Sequence, residues 1–303
     1  MAAVDELERA VQKVADQAGS AVVRIGRERG RGSGVVVGEG TVLTNAHNLR
    51  GPETTVSFTD GRQAVGRVQG VDVDGDLAVV AVDTAGATPL EWGDSSSAGL
   101  GTAVFALANP LGRAPRVTLG FVSALGRAFR GPRGRRIAGS IEHTAPLGRG
   151  SSGGPLVDST GRLVGINTNR LGDGFYLAIP ADAELRSRVD GLTRGESPSR
   201  RRLGVGLAPR RAARELRRAV GLPERDGLLV RELESDGPAE RAGIRRGDLI
   251  VEAQGQAVTS ADDLYDVLDA LTEDGTLPLL VVRGVEEIRV SVTFGPARSE
   301  GSV

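Results

Sequence analysis

The sequence has no cysteine, two histidines, one tryptophan, one methionine and a single lysine, Lys13. Without cysteine there is no disulfide framework, no zinc–thiolate or iron–sulfur site and no thiol nucleophile. Two histidines are too few for a multi-histidine metal centre. The missing cysteine leaves the redox compartment open, because a cysteine-free chain survives in either. An excess of one charge is also missing. Lys+Arg 38 against Asp+Glu 39 leaves a net −1, which gives no global field to draw the chain onto nucleic acid or an anionic membrane. Long apolar runs are absent, since no segment approaches the roughly 20 residues of a membrane span. The N-terminus carries Asp5, Glu6 and Glu8 where a leader peptide is basic, and no apolar core follows. At face value that end reads as cytoplasmic. A chain trimmed of its leader looks the same, so an extracytoplasmic place stays open.

Glycine is what the chain has in plenty, 44 of 303 residues, roughly twice the usual share. Many glycines without low complexity mean many tight turns, and tight turns favour β structure over helix bundles. Residues 5–18 are the exception, because Leu7, Ala10, Val11, Val14 and Ala18 share one helical face. From Ala21 the pattern becomes short apolar runs cut by glycine: AVVRIG, SGVVVGEG, TVLTNAH, TVSFTDG, DLAVVAVD, TAVFALANP, RVTLGFVSAL, GRLVGINT and FYLAIP. Such runs without helical pattern between them predict an all-β barrel or sandwich, closed by a short helix, ADAELRSRV. Residues 191–201 are polar and hold glycine, serine and proline, as a linker does. Residues 202–296 then mix strands with two helices, RAARELRRAVG and SADDLYDVLDAL, an α+β domain of ordinary small size. In the second helix Ser260 stands at an N-cap with Asp263 three residues on, a capping-box pattern. The expected organisation is a helix over 1–20, a β domain over 21–190, a linker over 191–201, an α+β domain over 202–296 and a tail over 297–303.

The chemistry concentrates in Gly148–Leu156, Gly-Arg-Gly-Ser-Ser-Gly-Gly-Pro-Leu. A serine between glycines can lift its hydroxyl clear of the chain, and the glycines let backbone N–H groups converge on one point. Acyl transfer needs that pairing of a nucleophilic oxygen with donors for a developing oxyanion. Serine needs a base, and the choice lies between His47 and His143. His47 follows the apolar run TVL, at a strand end. Asp76 opens another apolar run, where a carboxylate can orient an imidazole.

The order His47, Asp76, Ser152 is that of the double-barrel serine proteases, and the whole chain resembles an HtrA (DegP-like) serine protease with one C-terminal PDZ domain. TVLTNAH, DGDLAVVAVD, ALANPLG, VTLGFVSALGR, GSSGGPLVDSTGRLVGINT and FYLAIP carry the resemblance. The tail RRLGVGL … GPAERAGIRRGDLIVEAQGQAV continues it, so that it covers nearly all of residues 20–295. It implies a mainly β fold: a trypsin-like double six-stranded β-barrel followed by a small α+β PDZ domain. It also implies Ser152 as nucleophile, His47 as general acid/base, Asp76 as orienter, and the N–H groups of Gly150, Ser151 and Ser152 as the oxyanion hole. Of the neighbouring acids Asp72, Asp74 and Asp76, only Asp76 stands in the family register. In the PDZ region the resemblance makes Arg202-Leu203-Gly204-Val205 the loop that holds a peptide carboxylate, with Leu264, Val267 and Leu268 on the facing helix wall. No cofactor and no metal are implied. The implied partners are unfolded proteins or peptides and C-terminal peptides, with assembly into a homo-oligomer, a trimer or a multiple of it; nucleic acid and a membrane span are not expected.

The sequence departs from the family in the stretch before the serine, where Asp-Ala-x-Ile-Asn-Pro-Gly-Asn is replaced by Thr144-Ala145-Pro146-Leu147-Gly148-Arg149-Gly150-Ser151. Asn48 stands where the family has an apolar residue, and residues 126–139, in the sensor-loop position, are unusually basic. The leading expectation is an ATP-independent serine endopeptidase acting on unfolded protein and cutting after small aliphatic residues. The alternative is a holdase or PDZ scaffold with an idle site, prompted by the altered 144–151 loop. A nucleic-acid or anion role rests only on the arginine runs, against near-zero net charge and few aromatics. His143 is expected to be structural, Trp92 to pack, and the N-terminal helix to serve docking or assembly.

Overall fold

The computed structural model describes residues 2–26, 32–126, 129–130, 136–137, 139–172, 174–197, 202–271 and 275–294. The chain divides into two compact units, Met1–Pro198 and Ser199–Val303. Of the basic sensor-loop arginines, 127, 133 and 135 fall outside the described residues, as do the side chains of 130 and 136.

Unit 1 opens with α1 (Ala2–Ala18), whose Val14 and Ala18 are buried. Six strands follow: β1 (Val22–Ile25), β2 (Gly32–Gly38), β3 (Thr41–Thr44), β4 (Glu53–Ser57), β5 (Gln63–Asp72) and β6 (Leu77–Ala81). They close into an antiparallel barrel in the order β1-β2-β3-β6-β5-β4. β5 has no run in the sequence that announces it. Its inward positions are Ala64, Gly66, Val68 and Gly70, so small residues replace the usual apolar signal. They are small because neighbours come close: a Cβ on Gly66 would run into Val80, and one on Gly70 into the backbone of Leu192.

The second barrel is built from β7 (Ala103–Ala108), β8 (Arg116–Leu125), the short hairpin β9 (Phe129–Arg130) and β10 (Arg136–Ile137) beside it, β11 (Ile141–His143), β12 (Pro155–Val157), β13 (Leu163–Gly172) and β14 (Phe175–Pro180). Its order is β11-β14-β13-β12-β7-β8. β11 and β12 are three residues each, too short to read as apolar runs; the barrel supplies their partners. Helix α2 (Ala183–Thr193), N-capped by Asp182, which accepts from Leu185 N–H at 2.8 Å, packs Leu185, Val189 and Leu192 into the core of this unit. It runs three residues into the stretch read as linker.

Unit 2 holds β15 (Val205–Leu207), α3 (Arg210–Ala219), β16 (Leu228–Leu233), α4 (Pro238–Arg241), β17 (Leu249–Ala253), β18 (Gln256–Ala257), α5 (Ala261–Asp269), β19 (Thr276–Arg283) and β20 (Glu286–Thr293). The sheet runs β15-β16-β17-β19-β20, which leaves β15 at an edge. α5 begins with the capping box foreseen: the Ser260 hydroxyl accepts from Asp263 N–H at 3.2 Å, and Asp263 accepts from Ser260 N–H at 2.9 Å. The Thr259 N–H donated to Asp263 holds that carboxyl below its ordinary range.

Candidate active site

Asp76 sits in the turn between β5 and β6. The turn is built by Asp72, whose carboxylate accepts the N–H groups of Asp74 at 3.1 Å and Gly75 at 2.7 Å and pairs with Arg188 of α2. Asp76 itself takes a left-handed backbone, φ 54°, a conformation that costs a non-glycine residue of order 1 kcal/mol. The return is contact on every side. Its carbonyl accepts from the Asn45 side chain at 2.8 Å and from Ala46 N–H at 3.2 Å. Its carboxylate accepts His47 N–H at 3.1 Å and the Thr168 hydroxyl at 2.8 Å, and meets His47 Nδ1 at 2.8 Å. The carboxylate can only accept, so Nδ1 carries the proton and Nε2 is left as the basic nitrogen. Asp76 is 4% exposed while a quarter of the His47 side chain reaches solvent. The charge is therefore sheltered and the base is accessible.

Ser152 lies in the turn between β11 and β12. The turn is gripped from the first barrel: the Ser152 carbonyl accepts Ser33 N–H and the Asn48 side-chain amide, both at 2.9 Å, and the Gly150 carbonyl accepts the Ser33 hydroxyl at 2.8 Å. The Ser151 carbonyl takes Gly154 N–H at 3.0 Å. The Gly150 and Ser151 carbonyls are drawn inward, and in a trans peptide the N–H that follows each, of Ser151 and of Ser152, points the other way. Among the described residues, the N–H groups of Gly150, Ser151 and Ser152 donate to no protein acceptor. Gly153 makes the close approach possible, with φ 87° and the Ser33 carbonyl where a Cβ would stand. The Ser152 hydroxyl donates to the Thr168 carbonyl at 2.9 Å, and no hydrogen bond joins it to His47 among the described residues.

The structure thus gathers His47, Asp76 and Ser152 around Thr168, whose hydroxyl is on the aspartate and whose carbonyl holds the serine. Sequence reasoning passed over Thr168. It is the extra residue of a bulge in β13, where pairing with β14 jumps from Asn167 to Asn169, and a bulge frees both polar groups from the ladder. The only trace in the sequence is a hydroxyl at the end of the run GRLVGINT. Asn45, Ser33 and Asn48 were likewise not assigned; Asn48, a polar residue where apolar was expected, was the visible hint. His143 is fully buried and lies behind the serine turn rather than at its mouth. Its ring stacks on Tyr176, and burial lowers its pKa to about 4, against a hydrogen bond with Asn167 that works the other way. Trp92 is half-buried with the Arg186 guanidinium over its ring. Among the described residues no cluster of three or more His, Asp or Glu is arranged to hold a metal ion.

In unit 2, Arg202 is exposed and Leu203 buried, and Gly204 has φ 74°. The carbonyls of Leu203 and Gly204 accept Ala239 and Glu234 N–H groups at 3.0 and 2.9 Å. Their own N–H groups have no acceptor among the described residues. Leu264, Val267 and Leu268 are buried in the core of this unit, against which Val205 packs half-buried.

Residues 32–166 match the model of the trypsin-like peptidase domain, and residues 202–294 that of the PDZ domain. The chain is 35% identical over 274 residues to a protein of Halomonas elongata named "Probable periplasmic serine endoprotease DegP-like", covering 88% of this chain and 56% of that one. It is 34% identical to "Putative serine protease HhoA" of Synechocystis, covering 91% of this chain and 74% of the relative. The chain therefore spans about half the length of the first relative and three-quarters of the second. Among solved structures, an HtrA-type protease, AlgW, with a decapeptide aligns with TM-score 0.70 at 25% identity, over 95% of this chain and 99% of that chain.

Proposed function

Because the chain belongs to the HtrA/DegP-like serine proteases, we propose that it is an ATP-independent serine endopeptidase acting on unfolded or misfolded polypeptides through an acyl-enzyme. The observation that carries this is the buried Asp76 carboxylate on His47 Nδ1. It leaves Nε2 basic, and the turn of Ser152 holds N–H groups without an acceptor among the described residues. In the reaction the Ser152 hydroxyl turns from the Thr168 carbonyl to His47 Nε2. That exchanges one neutral hydrogen bond for another and costs about 1 kcal/mol or less. Ser152 Oγ then attacks the scissile carbonyl as His47 takes its proton. The oxyanion is held by the N–H groups of residues 150–152. His47 returns the proton to the leaving amine, and a water activated by the same imidazole releases the acyl group. Asp76, facing His47 Nδ1, orients the ring and stabilises the imidazolium. The N–H groups of Leu203 and Gly204, without an acceptor among the described residues and next to edge strand β15, support capture of peptide C-termini by the PDZ domain. Cleavage after small aliphatic residues and assembly as a homo-oligomer, a trimer or a multiple of it, are part of the same proposal.

One observation favours a second reading. The hydroxyl resting on Thr168 is also what a latent scaffold would show. Hydrolysis of casein by the full chain and by Ser152→Ala, with fluorophosphonate labelling of both, decides between them. Endopeptidase action gives casein cleavage and labelling that vanish in Ser152→Ala. Equal rates in the two proteins would end the proposal. Absence of labelling even with a PDZ-binding peptide present would favour the scaffold.

A further inference from the structure

The second histidine ends β11, the strand that leads into the nucleophile's turn, and reaches that turn from the second barrel. Asn167, on β13, is the intermediary. Its side-chain Nδ2 donates to the carbonyls of Gly154 at 3.1 Å and Pro155 at 2.9 Å. Its backbone carbonyl accepts Gly153 N–H at 2.7 Å, and its N–H donates to the Gly154 carbonyl at 2.9 Å. Four bonds from one residue therefore fix the three positions that follow Ser152. The amide orientation is forced, because both acceptors are carbonyls and only the NH2 side can face them. Oδ1 then faces His143 Nε2 at 3.0 Å. That oxygen can only accept, so Nε2 carries the hydrogen and Nδ1 is bare. Nδ1 is buried without a hydrogen-bond partner among the described residues. A buried polar atom left unpaired is expensive, and leucine or valine would fill this position without one.

We propose that His143 is a positioning residue of the proposed reaction: its Nε2–H anchors the far end of the Asn167 amide, and through that amide the Gly153–Pro155 turn that follows Ser152. The neutral ring is what the role requires. A proton on Nδ1 would find no acceptor, and the surroundings support neutrality, since β14 offers Tyr176 and β8 offers Val122 opposite His143. Burial working against the cation agrees with this. The inference rests on the endopeptidase reading for its kinetic consequence but not for its geometry.

Two substitutions separate positioning from packing. His143→Leu keeps an apolar filler and removes the donor. His143→Gln places its own amide nitrogen near the position of Nε2 and cannot titrate. In the full chain we expect His143→Leu to lower kcat on a peptide substrate, and the rate of fluorophosphonate labelling, by about tenfold. KM should stay within about twofold, and His143→Gln should recover most of the loss. A folded His143→Leu that keeps wild-type kcat, or a His143→Gln no better than His143→Leu, would overturn the proposal. Hydrogen exchange of the Gly153 N–H gives a readout free of activity. It should quicken in His143→Leu and stay slow in His143→Gln, and unchanged exchange in both overturns the idea. If wild type is not labelled, the protease reading fails by itself and exchange still decides the positioning. If His143→Leu does not fold, imidazole nitrogen NMR of the wild type decides. The Nε2–H tautomer, neutral at pH 6, is expected, and the Nδ1–H tautomer or a cation at that pH refutes it.

Discussion

His47 and His143 are the same residue type put to opposite uses by depth. A quarter of the His47 side chain is in contact with solvent and it faces a carboxylate. His143 is fully buried and faces an amide oxygen. For His143 the folded pKa, about 4, lies below the ordinary histidine value of 6.5 because burial disfavours the cation. The unfolded chain therefore takes up the proton first as pH falls. The contribution of the neutral ring to stability is whole above pH 6.5 and drains away between there and pH 4, by about 3 kcal/mol at most. Denaturant unfolding of wild type and His143→Gln across pH 7 to 4 should show it: the wild type loses stability faster, by that difference. Parallel curves would mean the ring does not titrate as burial dictates. Thr168 makes the complementary point. One residue of a bulge serves the aspartate with its side chain and the serine with its backbone.

Among the elements, the turn from β5 to β6 and helix α2 act together. The carboxylate of Asp72 builds the turn with two backbone N–H groups, and Arg188 of α2 binds its other oxygen. Val71 N–H donates to the Ser197 hydroxyl at 3.1 Å, just beyond that helix. Gly75 is glycine because the guanidinium occupies the space a Cβ would take. Asp72, Asp74 and Asp76 are all buried, so Arg188 offsets like charge next to the residue that orients His47. Arg188→Met leaves Asp72 a largely buried anion without its cation, held by the N–H groups of Asp74 and Gly75. Because the arginine side chain is 26% exposed, the pair couples by about 1 kcal/mol rather than by the larger sum of a fully buried pair. A double-mutant cycle with Asp72→Asn, read by chemical denaturation, should return a coupling of that order. Activity should fall several-fold in Arg188→Met as the Asp76 turn loosens. Zero coupling with unchanged activity would show that the turn holds without the helix.

For the whole molecule, the division of the apolar core is the governing fact. The clusters that fill the two barrels use residues between Val14 and Leu192, and those of the second unit use residues from Leu203 to Val292. Cores that share no side chain unfold as separate cooperative blocks. The fragment ending at Pro198 is therefore expected to unfold in one cooperative transition and to be labelled by fluorophosphonate. The fragment over residues 202–294 should show a transition of its own. A fragment 1–198 that is unfolded by circular dichroism would mean the first unit draws stability from the second.

The sequence by itself determined the β-rich class, the α+β mixture after residue 202, the capping box of α5 and the candidate residues His47, Asp76 and Ser152. These are written in apolar runs, in a cap spacing and in glycines around a serine, while the choice of Asp76 over Asp72 and Asp74 came from the family resemblance. The sequence did not announce β5, whose inward face is small residues, nor β11 and β12, too short to carry a period. Nor did it assign Thr168, Asn167 or Arg188 to the site. Only the tertiary structure decided these, because their roles depend on partners outside any local pattern: the aspartate that the bulged Thr168 reaches, the turn and histidine that the Asn167 amide joins, the carboxylate that the guanidinium of α2 meets. A hydrogen bond between residues about a hundred positions apart leaves no local periodicity, so it becomes visible only when two closed barrels bring its ends together.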